Sequence, residues 1–126
     1  MNTIKKRPVF LDLTRIRMPI AALMSILHRV SGVLLFAAIP FVIYFFELSL
    51  RSAQDFSTVV SMLNSVPGKL SVLSGLWALL HHLFAGIRYL LLDVHIGLTR
   101  EGARIGAWVV FGIEALALAL IGAQLL

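Results

Sequence analysis

Cysteine is absent from the 126 residues, and that gap removes disulfides, iron–sulfur ligation and thiolate catalysis from this chain's own chemistry. Charge is scarce too. Only 13% of the residues are charged, which excludes a disordered chain, since disorder needs low hydrophobicity and abundant charge. What fills the sequence instead is apolar: 60% of it is hydrophobic and the mean hydropathy is +0.96, above the roughly 45–50% apolar content of soluble domains. A soluble domain this small cannot enclose so much apolar surface, so the bilayer is the natural solvent. Eleven Lys and Arg against six Asp and Glu give +5. The basic residues gather at particular loops, and the charge therefore reads as membrane topology, with no nucleic-acid surface.

Crossing some 30 Å of hydrocarbon takes about 20 mostly apolar residues, and three stretches are long enough: Ile20–Leu48, Leu70–Leu92 and Ile105–Leu126. Polar connections separate them. Ser49–Asn64 contains Arg51, Gln54 and Asp55 and precedes Pro67-Gly68, while Asp93–Arg104 contains His95, Thr99, Arg100 and Glu101. The reading is an all-α membrane protein of one domain, residues 1–126, with three transmembrane helices and an arm over 1–19. Nine of the basic residues (Lys5, Lys6, Arg7, Arg15, Arg17, Arg29, Arg88, Arg100 and Arg104) fall on one side, and only Arg51 and Lys69 fall on the other. The positive-inside rule then puts the N-terminus in the cytoplasm and the C-terminus outside. The arm shows no clear cleavage site before the first span, which reads as a retained helix. Its mixed charge, including Asp12, suits docking a soluble partner or binding anionic lipid.

Polar groups inside such helices are the informative positions, because each costs free energy in hydrocarbon and normally faces a partner or cofactor. The first span opens with Ser25-Ile26-Leu27-His28-Arg29-Val30-Ser31-Gly32, and about 100° per residue puts Ser25, His28, Arg29 and Gly32 on one face. That face suits an anionic carboxylate or a carbonyl oxygen. Arg29 snorkelling to lipid phosphate, with His28 at the interface, is the plainer alternative. In the second span, steps of three or four from His82 give Ser71, Gly75, Ala78, Ala85, Gly86 and Tyr89, nearly all small. Such a stripe serves close helix packing, or leaves room for a flat macrocycle beside a histidine ligand; spacing alone does not choose. His81 lies about 100° away, with Ser74, Trp77 and Arg88, and reads as a hydrogen bond to a neighbouring helix. Arg88 sits about 9 Å further along the axis, where it balances the anionic edge of a cofactor or pairs with Asp93 as an anchor.

These runs resemble a known family, the cytochrome b membrane-anchor subunit of succinate dehydrogenase, in respiratory complex II. The resemblance is carried by Arg7-Pro8-Val9-Phe10-Leu11-Asp12-Leu13, Arg17-Met18-Pro19-Ile20, the Ser25–Gly32 run, and His82-x-x-x-Gly86-Ile87-Arg88 followed by Asp93, which together span nearly the whole chain. It implies a bacterial inner-membrane complex of flavoprotein, iron–sulfur protein and two membrane anchors. By the resemblance, His82 is one axial ligand of haem b and the second anchor supplies the other. His28, Arg29 and Arg88 contact the haem propionates, and Ser25, Arg29 and Ile26 line the ubiquinone site. Tyr89 stands where many bacterial relatives carry histidine, and it cannot carry positive charge.

Succinate oxidation then takes place on the flavoprotein, and this chain serves the quinone end. Arg29 would favour negative charge developing on the quinone in a poorly screened site. Three other readings use the same residues: a haem-free structural anchor, the anchor of a fumarate reductase, and a small transporter built around Glu114 in the third span. One isolated acid makes a poor relay, and Glu114 is expected to be protonated or bonded to the partner anchor. Trp77 and Trp108 read as packing residues, and His95 as a solvated loop residue.

Overall fold

The computed structural model describes residues 17–125 and is helical almost throughout. Four helices follow one another: α1 (Ile20–Arg51), α2 (Ala53–Asn64), α3 (Val66–Asp93) and α4 (Arg100–Leu125). Three of them, α1, α3 and α4, are long and apolar enough to cross a membrane. Of the arm, only Arg17–Pro19 lies within the described residues.

The expectation of a polar connection over Ser49–Asn64 is corrected by α2. Its start has a clear local cause: Ser52 is extended, accepts the backbone N–H of Asp55 at 3.0 Å, and donates its hydroxyl to the Asp55 carboxylate at 2.7 Å. Asp55 also favours the positive end of the helix dipole. Phe56, Val59, Val60 and Leu63 then recur at helical spacing, and Val59 is buried. A second serine, Ser65, ends α2 and caps α3 by accepting the N–H of Gly68, with Pro67 in the first turn.

At its other end α3 closes with a Schellman turn. The Ile96 N–H reaches the Leu91 carbonyl and the His95 N–H reaches that of Leu92, with His95 at φ +66°. Thr99 starts α4 by accepting the N–H of Gly102.

α3 packs against α1 on one side and α4 on the other. The core sits toward the end where α1 starts: Met24, Ala85, Ala107 and Val110 are buried, with Ile20, Phe84, Tyr89 and Phe111 against them. Elsewhere the bundle stays open. In α1 the most apolar 18-residue stretch has no fully buried residue within this chain.

Candidate functional site

His82 is where α1 and α3 meet. Its Nδ1 lies 3.1 Å from the His28 carbonyl oxygen and 3.2 Å from the Ser31 hydroxyl, which itself donates to the same carbonyl at 2.8 Å. A carbonyl only accepts, so the proton sits on Nδ1 and the lone pair of the neutral ring is on Nε2. The His28 ring stacks on His82 with centroids 4.1 Å apart and planes 9° apart, and Tyr89 meets His28 edge-on at 5.2 Å. Gly32 makes the approach possible, since a Cβ there would stand 3.0 Å from the His82 Cε1. The two sequence motifs thus come together through His28, Ser31 and Gly32 on one helix and His82, Gly86 and Tyr89 on the other.

The α1 face expected from helical spacing is split. His28 and Gly32 turn to α3, Ser25 is half-buried, and Ile26 and Arg29 are exposed. The reason is rotation: Met24 and Ser31 are fully buried, so residues about 150° from them around the helix point out of the bundle.

Arg88 departs further from expectation. It is nearly buried, donates from Nη2 to the Ala103 carbonyl of α4 at 2.9 Å, and stands beside Gly106. Its Nη2 is thus tied to the α4 side, its guanidinium also lies 5.6 Å from the ring of Tyr89, which packs on His28, and among the described residues Asp93 is not its partner. His81 shares that side. The expected hydrogen bond to a neighbouring helix is there: His81 Nδ1 is 2.8 Å from the Glu114 carboxylate, with both groups buried. Glu114 is thus bonded within its own chain, where the expectation had offered the partner anchor as its bonding partner. Trp77 and Phe111 lie against the His81 ring, and its Nε2 is buried without a partner.

Sequence reasoning gave Ser31 no role and did not pair His81 with Glu114. A depth count finds the second: His81 is 12 residues before the end of α3 and Glu114 is 14 after the start of α4, so the two lie nearly level. Beyond His82, toward α2, the seam widens into a groove of about 370 Å³ between Leu34, Leu35 and Ala38 of α1 and Ser71, Gly75 and Ala78 of α3.

A membrane-embedded helical subunit with a tautomer-fixed imidazole at a helix seam is the class that this fold and site define. Residues 3–121 match the family described as the succinate dehydrogenase/fumarate reductase transmembrane subunit, and the chain belongs to it. It is 40% identical over 118 residues to the succinate dehydrogenase cytochrome b556 subunit of Coxiella burnetii, covering 93% of this chain and 94% of that one. The subunit of the same name from Paracoccus denitrificans is 33% identical over 97 residues, 77% of this chain and 75% of its own. A cytochrome b560 subunit of succinate dehydrogenase from Reclinomonas americana is 29% identical over 119 residues, 87% of this chain and 80% of that one.

Proposed function

We propose that this chain is the haem b anchor of a succinate:ubiquinone oxidoreductase of the bacterial inner membrane, N-terminus in the cytoplasm, holding the quinone site and docking the iron–sulfur and flavoprotein subunits. The observation that carries the reading is the His82 Nδ1 held on the His28 carbonyl, which leaves Nε2 as the metal-binding nitrogen. The donor set fits a haem with one imidazole from this chain. His28 lies flat on the His82 ring, so His82 is the imidazole of this chain that would hold the haem, and a further ligand would come from the second anchor.

When bound, the haem supplies reversible one-electron chemistry beside the quinone. His28 and Arg29 would hold its carboxylates, and Arg88 would join them through guanidinium donors other than the Nη2 held by Ala103. Ser25 donates a hydrogen bond to a quinone carbonyl, and the exposed Arg29 balances charge that grows on that oxygen. Ile26 adds an apolar wall, and lipid excludes water around all three. Succinate chemistry belongs to the flavoprotein.

The test is the reduced-minus-oxidised optical spectrum of the complex co-expressed with its other subunits. The b-type haem signal is expected to vanish in His82→Ala and to persist in His81→Ala. Loss in His81→Ala alone would overturn the ligand assignment, and no signal in the wild type would favour a haem-free anchor. Ser25→Ala and Arg29→Ala are expected to lower quinone reduction about tenfold or more while succinate oxidation by an artificial dye is unchanged.

A further inference from the structure

The anchor role leaves α2 unexplained. This helix leaves α1 after one hinge residue, Ser52, and enters α3 after one more, Ser65, at the end of the bundle remote from His82, which lies about 24 Å along α3 from Val66. Burial of Val59 fixes its rotation. Next to Val59, and at helical spacing, Phe56, Val60 and Leu63 are 56%, 39% and 40% exposed, so three large apolar side chains share one uncovered face. Gln54, Ser57 and Ser61 occupy the opposite face, where the two serine hydroxyls donate to the helix's own carbonyls. Phe46 and Leu50 near the end of α1 and Val66 at the start of α3 are exposed apolar residues as well. In the last turn of α1, just before Ser52, Glu47 and Arg51 form an exposed ion pair, the kind of charged contact expected where a span leaves hydrocarbon.

We propose that α2 lies flat in the lipid interface, with Phe56, Val60 and Leu63 in the acyl boundary, and that apolar contact alone holds it there. Continuity with two helices through single-residue hinges names lipid as the occupant, since both neighbours are long and apolar enough to cross a membrane. Composition names the kind of attachment. Residues 53–64 contain no Lys, Arg or His, and their one charged group, Asp55, is engaged with Ser52. An interfacial helix that relies on anionic lipid carries a basic polar face, and this one has none. The two membrane faces of the subunit are therefore held differently, the basic side by charge and the α2 side by apolar burial.

The absence of native cysteine makes the test clean, because any thiol label on this subunit's gel band reports the introduced site. The assembled complex is placed in nanodiscs, where both membrane faces meet the aqueous phase, with Ser57→Cys or Val60→Cys in this chain. A water-soluble, membrane-impermeant maleimide is expected to modify Ser57→Cys at least tenfold faster than Val60→Cys. In the unsubstituted complex, a lipid-soluble carbene reagent mapped by mass spectrometry is expected to insert at Phe56, Val60 and Leu63. Both patterns are expected in phosphatidylcholine alone and to be unchanged by added phosphatidylglycerol. Equal maleimide rates would overturn the proposal by making both faces aqueous. Absence of carbene insertion at all three residues would overturn it in favour of a protein cover. Protection of Val60→Cys only with phosphatidylglycerol present would overturn the apolar mode of attachment.

Discussion

At His82 the nitrogen that meets the His28 carbonyl is taken, so on the proposed ligand role the backbone of α1 chooses which atom of α3 is left to bind a metal. The choice depends on close approach. In Gly32→Ala the new Cβ would press on the His82 Cε1, and because the ring is held on its other atoms the expected cost is about 1–3 kcal/mol, seen as weakened haem retention in the purified complex. Gly86→Ala is the contrast. Its Cβ would meet the His28 Nε2 at 3.6 Å, an ordinary contact, and stability is expected to stay level or rise by up to about 1 kcal/mol. These residues were legible as a motif before any fold was known. The role of Ser31 was not, because a hydroxyl that bonds a carbonyl three residues earlier looks like any helical serine until another helix brings a ring to it.

Between α3 and α4 the specific polar contacts are few, and the buried His81–Glu114 pair is the deepest of them. Interhelical hydrogen bonds in membranes average only about 0.6 kcal/mol, so the weight of this pair lies in what breaking it leaves behind. Either His81→Leu or Glu114→Leu strands a buried polar partner and is expected to cost about 1–3 kcal/mol in thermal denaturation of the solubilised complex. The double substitution is expected to recover most of that loss, because two apolar groups leave nothing unpaired. The turn after α3 holds a second measurable strain. His95 sits at φ +66°, where glycine is the natural occupant, and His95→Gly is expected to stabilise the same complex by up to about 1 kcal/mol. Neither Glu114's partner nor the direction of Arg88 was legible in the sequence, since one helix's periodicity gives which residues share a face but not which neighbour that face meets.

Over the whole molecule the three spans were legible because hydropathy integrates over some twenty residues and tolerates local error. α2 escaped for the opposite reason. Twelve residues in which serines, an aspartate and other polar groups match six apolar side chains in number look like a connection until their spacing is counted. The most apolar part of α1 has no buried residue within this chain, so its surroundings are completed from outside it. Expressed without the other subunits, the chain is expected to reach the membrane but to turn over faster than in the complex, as a pulse-chase immunoblot would report.

The stacked His28 and His82 rings come from helices separated by the whole of α2. Before α1 and α3 have packed, either nitrogen of His82 can carry the proton and neither is favoured as a ligand. On the proposed ligand role, packing of α1 against α3 fixes the His82 tautomer in advance, so the paired helices are expected to hold haem more tightly than α3 alone.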